Sequence, residues 1–212
     1  MIVVDRSIDM KFSASFDYTG AIEKVCRNIC QRVPELRHIE MDRVSVCFAQ
    51  TKHSIPFGVF ASVTPLRFKG GALHQRNKGE DWTVQRCFSK DGLEYLYILN
   101  FYTPRFIELK LSQKFETIVH ELYHISPEFN GDLRRFAGRC FAHGSSQKRY
   151  DAAVRRMVEF WLKSDPPADI WDFLRFNYKE LVEIHGRIHG MKTPAPKVIP
   201  VRAITQRPLP AG

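Results

Sequence analysis

Between Phe115 and Ile125, apolar side chains recur at Phe115, Ile118, Val119, Leu122 and Ile125, the spacing of a single helical stripe. A helix with such a stripe must bury it against a sheet or another helix, which commits the chain to a layered fold. His120 and His124 sit at the border of the stripe, in the run Val119-His-Glu-Leu-Tyr-His124. Residues four apart on a helix are neighbours on one face, so two imidazoles can close on one ion. Glu121 points about 100° around the helix from His120, near that ion without being a ligand to it. Zinc hydrolysis needs this combination, with the carboxylate as the general base, and the motif on an amphipathic helix after a sheet is its expected context.

The rest of the chain reads as the frame for that helix. Ile22, Val25, Cys26, Ile29 and Val33 make a helix over Tyr18–Val33, and Pro34 stops it. Val44–Ala49 alternates as a strand does. Gly58–Phe68 reads as a second strand with Pro65 at an edge or bend. Lys69–Asp81, basic and Gly-rich, reads as a mobile loop. Trp82–Phe88 and Leu93–Phe101 flank Ser89-Lys-Asp-Gly92, a hairpin signal. Their aromatics, Trp82, Tyr95, Tyr97, Phe101 and Tyr102, read mostly as core, with one sheet edge open to an extended peptide. The motif helix is expected over Ser112–Ser126, with further helices over Tyr150–Lys163 and Asp169–His185. Leu133–His143 has no clear assignment, since Gly131, Gly138 and Gly144 in and around it break any long helix.

Composition narrows the class. The 212 residues, 44% hydrophobic and 26% charged, describe a globular domain. The longest apolar run, near Tyr95–Tyr102, falls far below the ~18 residues of a membrane span, so no membrane partner is expected. Five cysteines without a CxxC pair make a poor disulfide framework, and Met1–Asp5 lacks the pattern of a signal peptide. A cytoplasmic location is expected. The net charge is +9, but Arg187–Gly212 holds five Lys/Arg, five Pro and no acid, leaving only +4 on residues 1–186. The expectation is a folded domain over 1–186 and a disordered basic, Pro-rich tail over 187–212. Any weak nucleic-acid contact belongs to that tail.

A catalytic zinc takes three protein ligands and keeps one position open. A metzincin would place a third His at the position of Asn130 and a Gly at that of Pro127, so that class is excluded. The candidates downstream are His143, Glu159, Glu128, Asp132, Asp151 and Cys140. His143, in a Gly-flanked loop able to fold back over the helix, is preferred, and Glu159 is the carboxylate alternative. A fourth protein ligand such as Cys140 would mark a structural site. His185-Gly-Arg-Ile-His189 repeats the histidine spacing, but Gly186 stands where the base belongs, so these residues read as solvated.

From Glu116-Thr-Ile-Val-His120 through Ser126-Pro-Glu-Phe129, Gly131-Asp-Leu-Arg-Arg135, Gly138-Arg-Cys140 and His143-Gly-Ser-Ser-Gln-Lys148 to Tyr150-Asp151, the chain resembles the phage metallopeptidase family. The resemblance implies zinc ligands at His120, His124 and His143, a catalytic glutamate at Glu121, and the cytoplasm of a bacterial or phage-infected cell. A looser similarity links the chain to SprT-like zinc proteases, which share a helix and sheet before HExxH and a third His followed by Gly. The chain departs from them in spacing and in lacking an obvious C-terminal zinc ribbon.

Tyr150 and Arg149 are candidate donors to the oxyanion formed when water attacks a carbonyl. Asp132 or Asp151 could accept from a ligand imidazole or cap a helix. Arg67–Lys78, Arg134-Arg135 and Arg155-Arg156 could meet nucleic acid or lie on solvated faces. The expectation is an α+β, zincin-like domain. In it an N-terminal helix packs on a mixed, mostly antiparallel sheet of about four strands, with the HExxH helix beneath and two C-terminal helices beyond. Its expected function is a metallopeptidase with one zinc ion, Glu121 activating the water on it, acting on a peptide or protein. The alternatives are a noncatalytic zinc-stabilised module that binds nucleic acid and a zinc hydrolase of non-peptide amides.

Overall fold

The computed structural model describes residues 15–50, 58–136 and 146–201. These residues form an α+β fold with five α-helices and mixed sheets. At its centre, β2 (Val44–Gln50), β6 (Tyr97–Thr103) and β3 (Ala61–Pro65) form a sheet in the order β2-β6-β3. β2 runs parallel to β6, with Val46 opposite Leu99, and β3 runs antiparallel to it, with Val63 opposite Leu99. β6 is covered on both faces, which is why Tyr-Ile-Leu-Asn-Phe reads as an almost continuous apolar run.

Period-two alternation sorts the side chains of this sheet. Val44, Val46, Tyr97, Leu99 and Phe101 join the main core, whereas Cys47 and Ile98 pack with Leu66 on the other face. Against the first face lies α1 (Tyr18–Arg32), which buries Ile22, Val25, Cys26 and Ile29. Asp17 caps it by accepting from the Gly20 amide at 3.0 Å. α2 (Leu111–Tyr123) buries Phe115, Ile118, Val119 and Leu122 in the same core. α3 (Gln147–Lys163) contributes Tyr150, Val154, Met157, Val158 and Trp161, and the Trp161 indole donates to Asn28 at 2.9 Å.

Several expectations need correction. α2 begins at Leu111 and ends at Tyr123, not Ser126; Ile125 instead bridges Leu133, so the chain reverses directly after the motif. Lys69–Asp81 is not a mobile loop. His74–Asn77 (β4) pairs with Glu80–Val84 (β5), turning through Lys78 and Gly79, both at positive φ as a two-residue hairpin loop requires. The hairpin expected around Ser89–Gly92 shrinks to one bridge, Phe88 to Glu94, because β5 is taken by β4 and by a later strand instead of β6. The central sheet therefore has three strands, one of them parallel to its neighbour.

The last helix is also broken. Ala168–Trp171 (α4) runs into a short 3-10 turn, Asp172–Arg175, and Tyr178–His185 (α5) starts afresh behind Asn177. Asn177 and Glu180 form a reciprocal capping box, a start signal inside an otherwise helical pattern. The buried Lys114 of α2 reinforces the break, its ammonium donating to the carbonyls of Leu174 at 2.8 Å and Phe176 at 2.9 Å.

The largest correction concerns the tail. Residues 187–201 form a strap over the domain and not a free tether; only 202–212 of the expected tail lie outside the described residues. Ile188–His189 (β7) pairs with Phe16–Asp17 (β1), and Val198–Pro200 (β8) completes an antiparallel sheet with β5. Between them, Met191 accepts from the Phe48 amide at 3.0 Å, and Thr193 lies 3.0 Å from the Ser45 hydroxyl. The strap's apolar residues, Ile188, Met191, Val198, Ile199 and Val201, follow neither a helical nor an alternating period, which is why its pairing is invisible locally. Among the described residues no helix is long and apolar enough to cross a membrane.

Candidate metal centre

α2 presents His120 and His124 one turn apart, and their Nε2 atoms converge to 3.1 Å. A metal-free imidazole pair can hold that distance as an N–H···N hydrogen bond. It also lies close to the ~3.3 Å that separates two nitrogens on a tetrahedral ion with bonds of about 2.0–2.1 Å. The donor set therefore fits zinc, which favours imidazole. Both rings are half-buried.

Glu121 is 9% exposed. Burial raises its carboxyl from the usual range to about 7, opposed by a hydrogen bond from the backbone of Val63 in β3. The edge strand of the sheet and the motif helix are thus joined at this carboxylate.

Beside them opens a cleft of about 430 Å³. Its floor is one face of α2, with Gln113, Glu116, Thr117, His120 and Glu121. One wall is the chain entering β3, from Gly58 to Ala61, and the other is α3, with Asp151, Val154 and Arg155. Glu116 and Thr117 fall four and three residues before His120, so helical spacing alone could have found them. Phe60 and Arg155 carry no such local signal.

The helix ends under tight control. Carbonyls of a last helical turn lack intrahelical donors. Here the Tyr150 hydroxyl donates to the His120 carbonyl at 2.9 Å, and Arg134 Nε donates to that of Tyr123 at 2.7 Å. The Arg134 amide donates to the His124 carbonyl at 2.6 Å, and its guanidinium lies 4.3 Å from the centre of the Tyr123 ring. A cation at a helix C-terminus is favoured by the macrodipole. In the sequence Arg134 stands out only as half of the basic pair Arg134-Arg135, with no local signal of this capping role.

The other candidates separate clearly. His143 and Cys140 lie outside the described residues. Among the described residues no group of three His, Cys, Asp or Glu side chains is gathered as a metal site. Glu159 is exposed on α3 and Glu128 is exposed in the loop after the motif. Asp132 is engaged elsewhere: its carboxylate accepts from the Gly70 amide at 2.8 Å and from Arg135 at 2.8 and 2.9 Å. Asp151 does line the cleft, where its carboxylate accepts from Gln147 at 2.7 Å. Tyr150 is buried behind the histidines and is absent from the cleft lining, and burial pushes its hydroxyl far up from its ordinary value. Arg149 is exposed at the start of α3. Neither supplies an oxyanion donor to the cleft in this arrangement. His185 stacks on Phe16 at 4.6 Å, so it is a packing residue and not simply solvated.

Comparison of the chain with protein-family models, curated proteins and solved structures gives no match.

Proposed function

We propose that this chain is a zinc-dependent peptidase with a zincin-like fold. The observation that carries the reading is the convergence of His120 and His124 to 3.1 Å beside a cleft lined by His120 and the buried Glu121. His120 and His124 would hold one zinc ion, with His143 as the third protein ligand. When bound, zinc supplies Lewis acidity that polarises a carbonyl and lowers the pKa of a water.

The chain's own residues do the rest. Glu121 accepts the proton of the attacking water and returns it to the leaving amine. Burial of its carboxyl favours the protonated form, which suits it to carry that proton. The Val63 amide orients the carboxylate. β3 is a sheet edge, so an extended peptide can lie along it with backbone hydrogen bonds, its scissile bond over α2. Val59, Phe60, Leu109 and Val154 give the cleft apolar wall surface.

The test is zinc content together with cleavage of a degenerate peptide library, products being identified by mass. Glu121→Gln should keep its zinc and lose at least ~10²-fold in rate. His120→Ala and His124→Ala should lose both. Full activity in Glu121→Gln would sink the mechanism, and turnover of small amides without any peptide would remove the peptidase assignment. Zinc uptake unchanged in His143→Ala would remove the third ligand.

A further inference from the structure

Tyr150 touches both motif histidines with one side chain. It stands one turn into α3 and is 3% exposed. Its ring stacks on His124 with centroids 5.2 Å apart and planes at 26°. The same ring meets His120 at 4.9 Å and 67°, close to edge-on. Its hydroxyl donates to the His120 backbone carbonyl at 2.9 Å. Tyr123 at 5.1 Å and Phe136 at 5.8 Å pack against it in turn.

An imidazole binds a metal along a lone pair that lies in the ring plane, so a tilted ring aims its nitrogen away from the ion. Two histidines on a helix keep freedom about both side-chain torsions unless something fills the space beside them. Tyr150 fills it for both rings at once, and its hydroxyl fixes the backbone of the turn that carries His120. The convergence of the two Nε2 atoms is thus maintained from a different helix. Supports of this kind around metal ligands typically change affinity by ~10–100-fold when removed.

We propose that Tyr150 is a positioning residue that holds His120 and His124 in their converged arrangement and thereby sets metal affinity. This rests on the zinc reading above. It differs from the oxyanion-donor role that the sequence left open beside plain packing, because the hydroxyl is committed to the His120 carbonyl.

The experiment uses the full chain. Zinc affinity is measured by competition with a chromophoric chelator, the visible absorption of the cobalt-substituted protein reports ligand geometry, and thermal unfolding of the metal-free protein reports folding. Tyr150→Phe keeps the ring and should weaken zinc binding by ~3–10-fold with a cobalt spectrum close to that of the parent. Tyr150→Leu and Tyr150→Met remove the ring and should weaken it by ~10–100-fold with an altered spectrum. A purely structural role would lower the unfolding temperature and leave the affinity and spectrum of the folded variant unchanged. Parental affinity and spectrum in either ringless variant would therefore overturn the proposal. If neither folds, Tyr150→Phe decides alone, and unchanged affinity overturns it. A parent chain that binds no zinc would overturn the metal reading itself, an outcome distinct from a zinc-binding parent whose Tyr150 variants match it.

Discussion

Along β2, the chain's own C-terminal strap crosses the sheet edge, taking the Phe48 amide onto Met191 and setting Thr193 against Ser45 and Cys47. Along β3, the opposite edge, no described strand adds on, and the neighbour is the HExxH helix with its cleft. An uncovered edge invites pairing with other chains. Among the described residues this fold covers one edge with a strap and not the other, and under the proposed function that second edge is where an incoming peptide would meet Glu121. The open edge is instead anchored at its end. Just past β3, Arg67 pairs with Glu94 at 2.6 Å, and Arg86 reaches the same carboxylate at 2.6 Å.

That contrast can be broken most strongly from the covered side. Ending the chain at Gly186 removes β7, β8 and the bonds to Phe48 and Ser45. The expected loss is about 3–5 kcal/mol of unfolding free energy, read from urea denaturation, with self-association visible by light scattering. Zinc affinity of the surviving folded fraction should be unchanged. A truncated chain of parental stability would show that the strap covers nothing that matters.

Next comes the anchor. Glu94→Gln leaves Arg67, whose side chain is only 8% exposed, without its counter-charge and should cost about 3 kcal/mol. Hydrogen bonding from Arg86, helped by Arg67 and opposed by burial, holds the Glu94 carboxyl at about 2. A folded value below the unfolded one means that this contribution is complete above pH ~4.5 and is lost as pH falls toward ~2. The acid limb of the stability curve should therefore flatten in Glu94→Gln; an unchanged limb would exclude the anchor.

A finer probe is Gly190→Ala. Its Cβ would run into the Phe48 ring where the strap crosses β2, with an expected loss of about 1–2 kcal/mol in thermal unfolding. The smallest effect on folding belongs to the open side. Val59, 57% exposed at the cleft wall, should tolerate Val59→Ala within about 0.5 kcal/mol. Its effect should fall on KM for a peptide substrate, and a large change in stability would mean that the open side is itself structural.

The helices show how far local pattern carries. The stripe of α1 and the apolar face of α2 were legible because each helix repeats its buried positions every three or four residues. The motif was legible for the same reason, since i, i+4 spacing fixes where two side chains stand on a helix. The break after Arg175 was less visible, although Asn177 and Glu180 carried a capping signal within the run. The strand partners were not legible. β5 looked like half of a hairpin with the strand that follows it, yet it pairs with β4 and β8.

By itself, then, the sequence determined the faces of the helices, the pairing of His120 with His124 and the place of Glu121 beside them. These are consequences of helical geometry over a few residues. Tertiary structure decided which sheet edge is covered, which walls close the cleft and that Tyr150 backs both imidazoles. Those depend on contacts between segments far apart in the chain, such as Tyr150 with His120 and Thr193 with Ser45. No local period encodes such contacts; they follow from how the layers pack.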